Sequence, residues 1–291
     1  MLKQAFPTKD EYFHELCETP VMSWPALVFF LAGVSILFFA SYAALNGLIA
    51  YGWAALFNGF ALYLFFSIMH DALHGNVAEN SRLNDFFGRI SLVWMIPFAP
   101  FEIARWIHNL HHSHAAGAKD PDNFMHHGKW WVLPFRWANF DLYYTAFFVQ
   151  RLWGGDNMAK RYAVSVAIYV AILIGVVSIF IQFDLGYELL MLWFIPSRIG
   201  LGLTGFVFVF LPHHPADISQ HENKYAASTI RKGWEWILTP LMAYHNYHLI
   251  HHLYPTVPFY RYLKVWLLKY DELIEKKPAM QTPLGLRPVN R

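Results

Sequence analysis

Four long apolar stretches alternate with polar segments along the chain. Each is long enough to cross a bilayer, because a membrane-spanning helix needs about 20 mainly apolar residues. The links within each pair are so short that the second stretch must turn straight back on the first. The pattern therefore predicts an all-α membrane protein with two helical hairpins. The predicted spans are residues 25–45, 48–69, 162–182 and 188–211.

The remaining chain is predicted to form a helical cap on one side of the membrane. Its parts are an insert of residues 70–161 between the hairpins and a C-terminal segment of residues 212–275. We expect the whole chain, residues 1–291, to be one membrane-embedded domain. Within the insert, residues 86–104 are apolar but interrupted by one arginine and two prolines. We interpret them as an interfacial or re-entrant segment; the alternative is a fifth span.

The positive charges predict how the chain is oriented. Nine of the 22 lysines and arginines lie in the insert, ten follow residue 212, and the two hairpin tips carry none. Lysine and arginine concentrate on the cytoplasmic side of membrane proteins. We therefore expect the N-terminus, the insert and the C-terminal segment to face the cytoplasm. A fifth span would break this sidedness.

Composition supports the membrane assignment and excludes several kinds of site. Hydrophobic residues make up 56% of the chain and charged residues 14%, whereas a soluble domain carries about 25% charged residues. The one cysteine, Cys17, rules out an internal disulfide, a CxxC zinc site and an iron–sulfur cluster held by cysteines. Sixteen histidines, in contrast, are a high number that needs a reason.

Most of these histidines recur in short boxes beside the predicted spans. One box has the form HxxxH and two have the form HxxHH, and residues spaced three or four apart share one face of a helix. A further pair, His213 and His214, follows the fourth span. The boxes consist of His70 and His74, of His108, His111 and His112, and of His248, His251 and His252.

Three boxes at one membrane surface indicate a metal site, because neutral imidazole is the commonest metal ligand in proteins. Eight box histidines exceed what one ion usually binds, so two metal ions fit the pattern better. A metalloprotease would leave two boxes unused, and a metal transporter would carry histidines in the middle of its spans. We therefore predict a redox-active pair, with iron as the metal because O2 chemistry needs a redox centre.

In combination, the three boxes resemble the signature of the membrane-bound fatty acid desaturase superfamily. Over about residues 50–270 the chain is most similar to the branch of the β-carotene hydroxylases and carotenoid ketolases. The stretches HDALHG, HHSHAAGAKDPDN, FVFLPHHP and NYHLIHHLYPTVPFY carry this likeness. The family form of the third stretch is LPHRP, and in this chain His214 replaces the arginine of that pattern. The resemblance implies two iron ions, O2 as co-substrate, and the eight box histidines plus His213 as ligands.

Neighbouring side chains are expected to support these ligands. A ligating imidazole usually donates its other N–H to a carboxylate or a carbonyl, so Asp71, Asp120 and Asp122 are candidates to orient histidines. The alternative for KDPDN is a surface turn. Asn246 either bonds a metal-bound water or caps the helix of the third box. His245 is assigned a supporting position.

The sequence says less about the histidines outside the three boxes. His114 is either a supporting residue or a tenth ligand. His126 and His127 are expected to face the headgroups at the membrane surface. His14 and His221 are expected on the protein surface.

The resemblance also implies a reaction: O2-dependent oxidation of an unactivated C–H bond in an apolar lipid, most closely the hydroxylation of a carotenoid ring. Fatty-acyl desaturation, carotenoid ketolation and a non-catalytic metal-binding or transport protein stay open as alternatives. The chain lacks a GxGxxG motif and cysteine clusters, so we expect electrons from a ferredoxin-like external donor. No nucleic-acid partner is expected. Arg198, inside the fourth span, receives no role.

Overall fold

The computed structural model describes residues 8–290, and most of them are helical. Residues 1–7 and 291, which the predicted domain includes, lie outside the described residues. The helices are α1 (Lys9–Cys17), α2 (Trp24–Leu45), α3 (Tyr51–Leu73), α4 (Ser81–Met95), α5 (Phe101–His114), α6 (Leu133–Ala138), α7 (Phe140–Trp153), α8 (Asn157–Gln182), α9 (Gly186–His213), α10 (Glu235–Leu241), α11 (His248–Leu253), α12 (Tyr262–Leu268) and α13 (Tyr270–Glu275).

Within residues 8–290, four helices are long and apolar enough to cross a membrane: α2, α3, α8 and α9. The prediction of an all-α membrane protein with two hairpins is confirmed. Helix α8 begins five residues before the predicted span, because the Asp156 carboxylate accepts hydrogen bonds from the backbone N–H groups of Met158 and Ala159 and so caps it. Helix α9 contains two π-helical turns and runs on to His213.

The apolar segment at residues 86–104 is broken rather than continuous. Helix α4 ends at Met95, and α5 begins at Phe101 after a turn that contains Pro97 and Pro100. Proline removes a backbone donor and clashes with the preceding helical turn, so the two helices cannot merge. The segment therefore forms no fifth spanning helix.

The first hairpin and α9 pack closely in their spanning parts. The Asn58 side chain of α3 donates to Ser41 Oγ of α2 at 3.1 Å and to the backbone carbonyl of Leu192 in α9 at 3.0 Å. Gly200 of α9 lies directly against Leu62 of α3, and a Cβ there would meet the Leu62 Cβ at 2.7 Å. Spanning helices associate through small residues at their contacts and through buried hydrogen bonds of side-chain amides, as seen here.

The second box is docked onto the end of α3 by one arginine. The Arg105 guanidinium of α5 donates to the carbonyls of Ala72 and Leu73 at 3.1 and 3.0 Å, and it pairs with Asp85 at 2.7 Å. A cation at a helix C-terminus satisfies free carbonyls and is favoured by the helix dipole. This contact brings His108 of α5 beside the first box.

The cap contains a short parallel sheet in addition to its helices. Two short strands, β1 (Thr229–Arg231) and β2 (Ala279–Gln281), pair in parallel with Ile230 opposite Met280. Strand β2 follows residue 275, where the predicted cap ends, and its pairing with β1 ties this later segment to the cap. Buried Arg231 donates to three carbonyls of the loop after β2, at Thr282, Pro283 and Gly285, and this holds the tail in place.

The close contact at Gly200 generates a stability prediction. Replacing Gly200 with alanine forces α9 away from α3, and overpacking of this kind costs about 1–3 kcal/mol. We expect a lower unfolding temperature in detergent. Gly175→Ala in α8 is the matched control, because a Cβ there meets no atom within 4 Å. Equal unfolding temperatures for the two variants would contradict the packing described here.

Candidate metal centre

The predicted ligand histidines converge into two groups where the helices leave the spanning region. The first histidine group has its candidate ligand atoms within 4.8 Å of one another. Two of its members come from the end of α3 and one each from α5 and α11. The first histidine group consists of His70, His74, His108 and His251.

The second histidine group lies beside the first and also has its ligand atoms within 4.8 Å of one another. His111 comes from the same helix as His108, and His213 is the last residue of α9. The structure thus brings His213 to the site, although its position in the sequence is far from every box. The second histidine group consists of His111, His213, His248 and His252.

His112 lies between the two groups. Its Nε2 is 2.8 Å from His251 Nε2 and 3.1 Å from His108 Nε2. The division into two groups follows from the HxxHH spacing. The last two histidines of each box are adjacent in the sequence, and their side chains point to different groups. All nine predicted ligand histidines therefore lie in one continuous cluster.

Hydrogen bonds on the far side of the rings fix which nitrogens face inward with a lone pair. His213 Nδ1 donates to the Ala227 carbonyl at 2.9 Å, so the neutral ring carries no proton on Nε2. That Nε2 lies 3.0 Å from His248 Nε2 and 3.1 Å from His252 Nε2. The lone pair on His213 Nε2 must therefore be met by an N–H of one of these rings or by a cation. The donor set fits a bound metal, and imidazole ligands suit iron, zinc, copper or nickel.

Two carboxylates lie behind His111. Its Nδ1 donates to Asp120 Oδ1 at 2.9 Å and lies 3.4 Å from Asp122 Oδ2. Burial opposes protonation of His111, but Asp120 and Asp122 more than offset it and raise the pKa of His111 to about 9. Burial raises the pKa of Asp122 to about 6. For Asp120 burial also acts to raise the pKa, but the charge and hydrogen bond of His111 together with the hydrogen bond from the Asp122 N–H lower it overall. The stretch KDPDN is thus part of the site and not only a surface turn.

Two tyrosines take part that the sequence did not single out. Tyr144 of α7 donates a hydrogen bond to Asp122 Oδ1, and the hydroxyl of Tyr262 in α12 lies 2.9 Å from His251 Nδ1. Burial raises the pKa of Tyr262 well above its usual value, and so does nearby Asp71, so its hydroxyl stays protonated. A tyrosine on an amphipathic helix has no motif, so only the folded arrangement reveals these contacts.

Two of the supporting side chains are placed differently from expectation. Asp71 does not contact a histidine: its carboxylate accepts a weak 3.4 Å bond from the Phe259 N–H. Asn246 donates to Thr239 Oγ1 at 3.2 Å and does not cap α11, which has no side-chain cap. Both residues are buried.

Three further histidines lie around the cluster. His245 is buried with its ring centre 4.9 Å from that of His70, and its Nδ1 donates to the Ala243 carbonyl. His114 remains outside the two groups and packs against exposed His221. The headgroup-facing prediction for His126 is wrong, since the residue is 5% exposed with its ring 6.0 Å from that of His213.

His14 lies at the protein surface, as expected, and His127, next to His126, is exposed. Adjacent residues in a turn point in different directions, which is why His126 and His127 differ.

Arg198 has a partner that explains its presence in a spanning helix. Its guanidinium makes a bidentate pair with Asp141 of α7, at 2.8 Å from Nη1 to Oδ1 and 2.6 Å from Nη2 to Oδ2. A charge inside a membrane is costly unless it is paired, and bidentate pairing is the strong form. The partner lies 57 residues away in the chain, so sequence inspection could not find it. The pair fixes α7 against α9.

A cavity lies between the spanning helices and the histidines. Its walls are mostly apolar side chains of α3, α4, α5, α7, α8 and α9, including Phe66, Met95 and Phe208. His70 and His108 of the first group and His111 and His248 of the second face it at one end. A long apolar molecule entering from the membrane side would therefore end beside both groups.

Comparison with known proteins decides the family. The Fatty acid desaturase family model matches residues 47–283, which is most of the chain and includes every box. The chain belongs to the fatty acid desaturase family. Members of this family are oxidoreductases with a di-iron centre, which agrees with the two histidine groups of this desaturase-family protein.

Two relatives of this desaturase-family protein are β-carotene ketolases from Paracoccus. One, from strain N81106 / MBIC 01143, is 31% identical over 200 residues, which are 67% of this chain and 71% of the relative. The other, from strain PC1, is 31% identical over 202 residues with the same coverage. A third relative is the omega-3 fatty acid desaturase fat-1 of Caenorhabditis elegans, 35% identical over 86 residues, which are 28% of this chain and 20% of the relative.

Burial of the histidines makes the stability of the metal-free protein depend on pH. Burial lowers the pKa of His74 to about 3 and that of His245 to about 4, from an ordinary value of 6.5. A histidine kept neutral in the folded state contributes stability that is complete above pH 6.5 and is lost as the pH falls toward its folded pKa. Between pH 7 and 5.5 the loss is about 1 kcal/mol for each such histidine.

His245→Gln tests this expectation, because glutamine cannot take up the proton in the unfolded chain. The free energy of unfolding of the desaturase-family protein, stripped of metal with a chelator, is measured with denaturant at pH 7 and pH 5.5. The difference between these two values should be about 1 kcal/mol smaller in the variant than in the unsubstituted protein. If the difference in the free energy of unfolding between pH 7 and pH 5.5 is the same with and without the substitution, His245 does not titrate in this way.

Proposed function

We propose that this protein is a membrane-bound di-iron enzyme that uses O2 to oxidise an unactivated C–H bond on a carotenoid ring, with hydroxylation as its reaction. One observation carries the proposal. Two histidine groups lie together beside a mostly apolar cavity, and the hydrogen bond from His213 Nδ1 to the Ala227 carbonyl leaves the Nε2 lone pair of His213 facing the second group. That arrangement suits an oxidation of a substrate without polar groups.

The first histidine group and His112 would hold one iron, and the second histidine group the other. Bound iron would supply the one-electron and O2 chemistry that amino-acid side chains lack. Asp120 and Tyr262 orient His111 and His251 from behind, as outer partners of ligating imidazoles commonly do. His245 and Asn246 keep a supporting role in this proposal.

The chain itself contributes positioning and exclusion of water. The cavity walls are apolar almost up to the histidines, so an apolar substrate would displace water from the metal end. The Asp141–Arg198 pair holds α7 as one rigid wall of the cavity. Holding a C–H bond in fixed geometry next to the metal lowers the entropic part of the barrier.

The choice of a carotenoid rests on the two ketolase relatives, which cover two thirds of this chain. A ketone on a ring carbon results from repeated oxygenation of one position, so hydroxylation and ketolation share the first step. Fatty-acyl desaturation is the second candidate, and the match to an omega-3 fatty acid desaturase favours it. A non-catalytic metal transporter is disfavoured, since the histidines lie at the ends of spanning helices and not along them.

Hydroxylation of one C–H bond consumes O2, two electrons and two protons and releases water, so an external donor is needed. We propose a one-electron carrier with an acidic surface that docks on the cap, where exposed lysines include Lys119, Lys224 and Lys264. The concentration of positive charge on the insert and the C-terminal segment also supports a cytoplasmic position for the cap. A reduction rate that does not fall with rising ionic strength would exclude this docking mode.

Metal content tests the ligand assignment. We expect about two irons for each chain of the protein purified with iron, and about one after His213→Ala, because the second group loses a ligand whose tautomer is fixed. His127→Ala is the control, since His127 is an exposed histidine of the same cap. Elemental analysis that finds two irons in both variants would remove His213 from the ligand set.

Product analysis tests the reaction and the substrate. Expression of the chain in a host that makes β-carotene should convert the pigment to a product heavier by one oxygen atom, with the lipids unchanged. The His213→Ala variant should leave the pigment as it was. A new double bond in the host lipids with unaltered carotenoids would favour the acyl desaturase instead, and a ring ketone would favour the ketolase.

A further inference from the structure

The two histidine groups differ in what lies behind their rings. Among the described cluster histidines, His111 of the second group is the one within ion-pair distance of carboxylates, those of Asp120 and Asp122. In the first group the corresponding partner of His251 is the neutral hydroxyl of Tyr262. The two metal positions therefore have different electrostatic surroundings even though all their ligands are histidines.

Asp122 is held in place from the side of the cavity. The Tyr144 hydroxyl donates to Asp122 Oδ1, while Asp122 Oδ2 faces His111 Nδ1 at 3.4 Å. Tyr144, Asp122 and His111 all line the cavity. A continuous chain of contacts thus runs from the cavity wall to the second histidine group.

Packing of the tyrosine ring does not need this hydroxyl. The Tyr144 ring lies against Phe140 one helical turn earlier, with ring centres 5.3 Å apart. Asp120, in contrast, is tied into its loop by the backbone N–H groups of Ala116 and Asp122. Asp122 is therefore the adjustable member of the carboxylate pair, and Tyr144 is the group that fixes its position.

We propose that Tyr144 is a positioning residue that acts through Asp122 on His111, and that it makes the second metal position favour a higher metal charge than the first. A carboxylate behind a ligating imidazole raises the basicity of that ligand. Its negative charge is felt strongly in buried surroundings of low dielectric constant. This inference rests on the proposed di-iron function.

The proposal has a consequence for reduction. Dithionite, a chemical one-electron reductant, would convert one ferric ion of the oxidised pair to ferrous and leave the other ferric. We expect the first electron at the position of the first histidine group. The second electron should then require a lower potential, because the Asp120 and Asp122 charges stabilise the remaining ferric ion.

The matched pair Tyr144→Phe and Tyr143→Phe tests this in the full-length protein loaded with iron-57. Each variant removes one hydroxyl from neighbouring residues; the Tyr143 ring stacks on Phe124, whereas the Tyr144 hydroxyl donates to Asp122. Mössbauer spectra should change for one iron of the two in Tyr144→Phe and for neither in Tyr143→Phe. The equilibrium constant separating the two reduction steps should fall about tenfold in Tyr144→Phe, which is about 59 mV for a one-electron couple.

A second pair keeps the test decisive if Tyr144→Phe does not fold. Asp122→Asn should decrease the separation between the two reduction potentials at least as much as Tyr144→Phe. Asp184→Asn, the same chemical change at the distant hairpin tip, should leave that separation unaltered. Spectral changes at both irons alike would overturn the proposal, and so would a raised KM with unchanged spectra, which would assign Tyr144 to substrate contact. Fewer than two irons in the unsubstituted protein would instead defeat the proposed function itself.

Discussion

The arrangement of this molecule depends on one electrostatic constraint: buried imidazole nitrogens meet at hydrogen-bond distance, and each of their lone pairs must be met by a proton or by a cation. His213 shows it most clearly, because the Ala227 carbonyl takes the Nδ1 proton and leaves Nε2 directed at His248 and His252. A cation between such nitrogens can take the place of these protons and bind several lone pairs at once. Burying so many imidazoles is otherwise costly, since each is deprived of water.

The helices around the cluster are placed so that this constraint can be met. Arg105 fastens α5 to the end of α3, and this puts His108 beside His74, whose Nε2 atoms are 2.8 Å apart. Helix α9 runs without interruption to His213, so the end of a spanning helix supplies a member of the second group. Packing inside the membrane, at Asn58 and Gly200, sets the mutual position of α3 and α9 from which these side chains project.

The cavity and the cluster meet at α7, and the two polar contacts of this helix have different consequences. Near the metal end, Tyr144 bonds Asp122 and so connects the cavity wall to His111. Farther along, Asp141 pairs with Arg198 of α9 and fixes the wall itself. A helix that the hydrophobic pattern describes only as part of a polar insert thus shapes the apolar cavity and also supports the candidate metal centre.

Hydrophobic periodicity and residue spacing determined a large part of this protein. The length of apolar stretches predicted the four spanning helices, because the thickness of a bilayer fixes how many residues a span needs. The box spacing predicted that histidines share helix faces, because helical geometry is local. The family resemblance rested on the same local patterns, and the match to the desaturase family confirms it.

The tertiary structure decided what depends on contacts between distant parts of the chain. His126 and His127 are neighbours in sequence, yet one is buried beside His213 and the other is exposed. Neither Arg198 with Asp141 nor Tyr262 with His251 has a local signature, because each pair meets only when separate helices pack. Packing of separate helices decides which histidines form a group, which carboxylate lies behind which ring and where the cavity ends. The residue spacing within a single segment does not determine that packing.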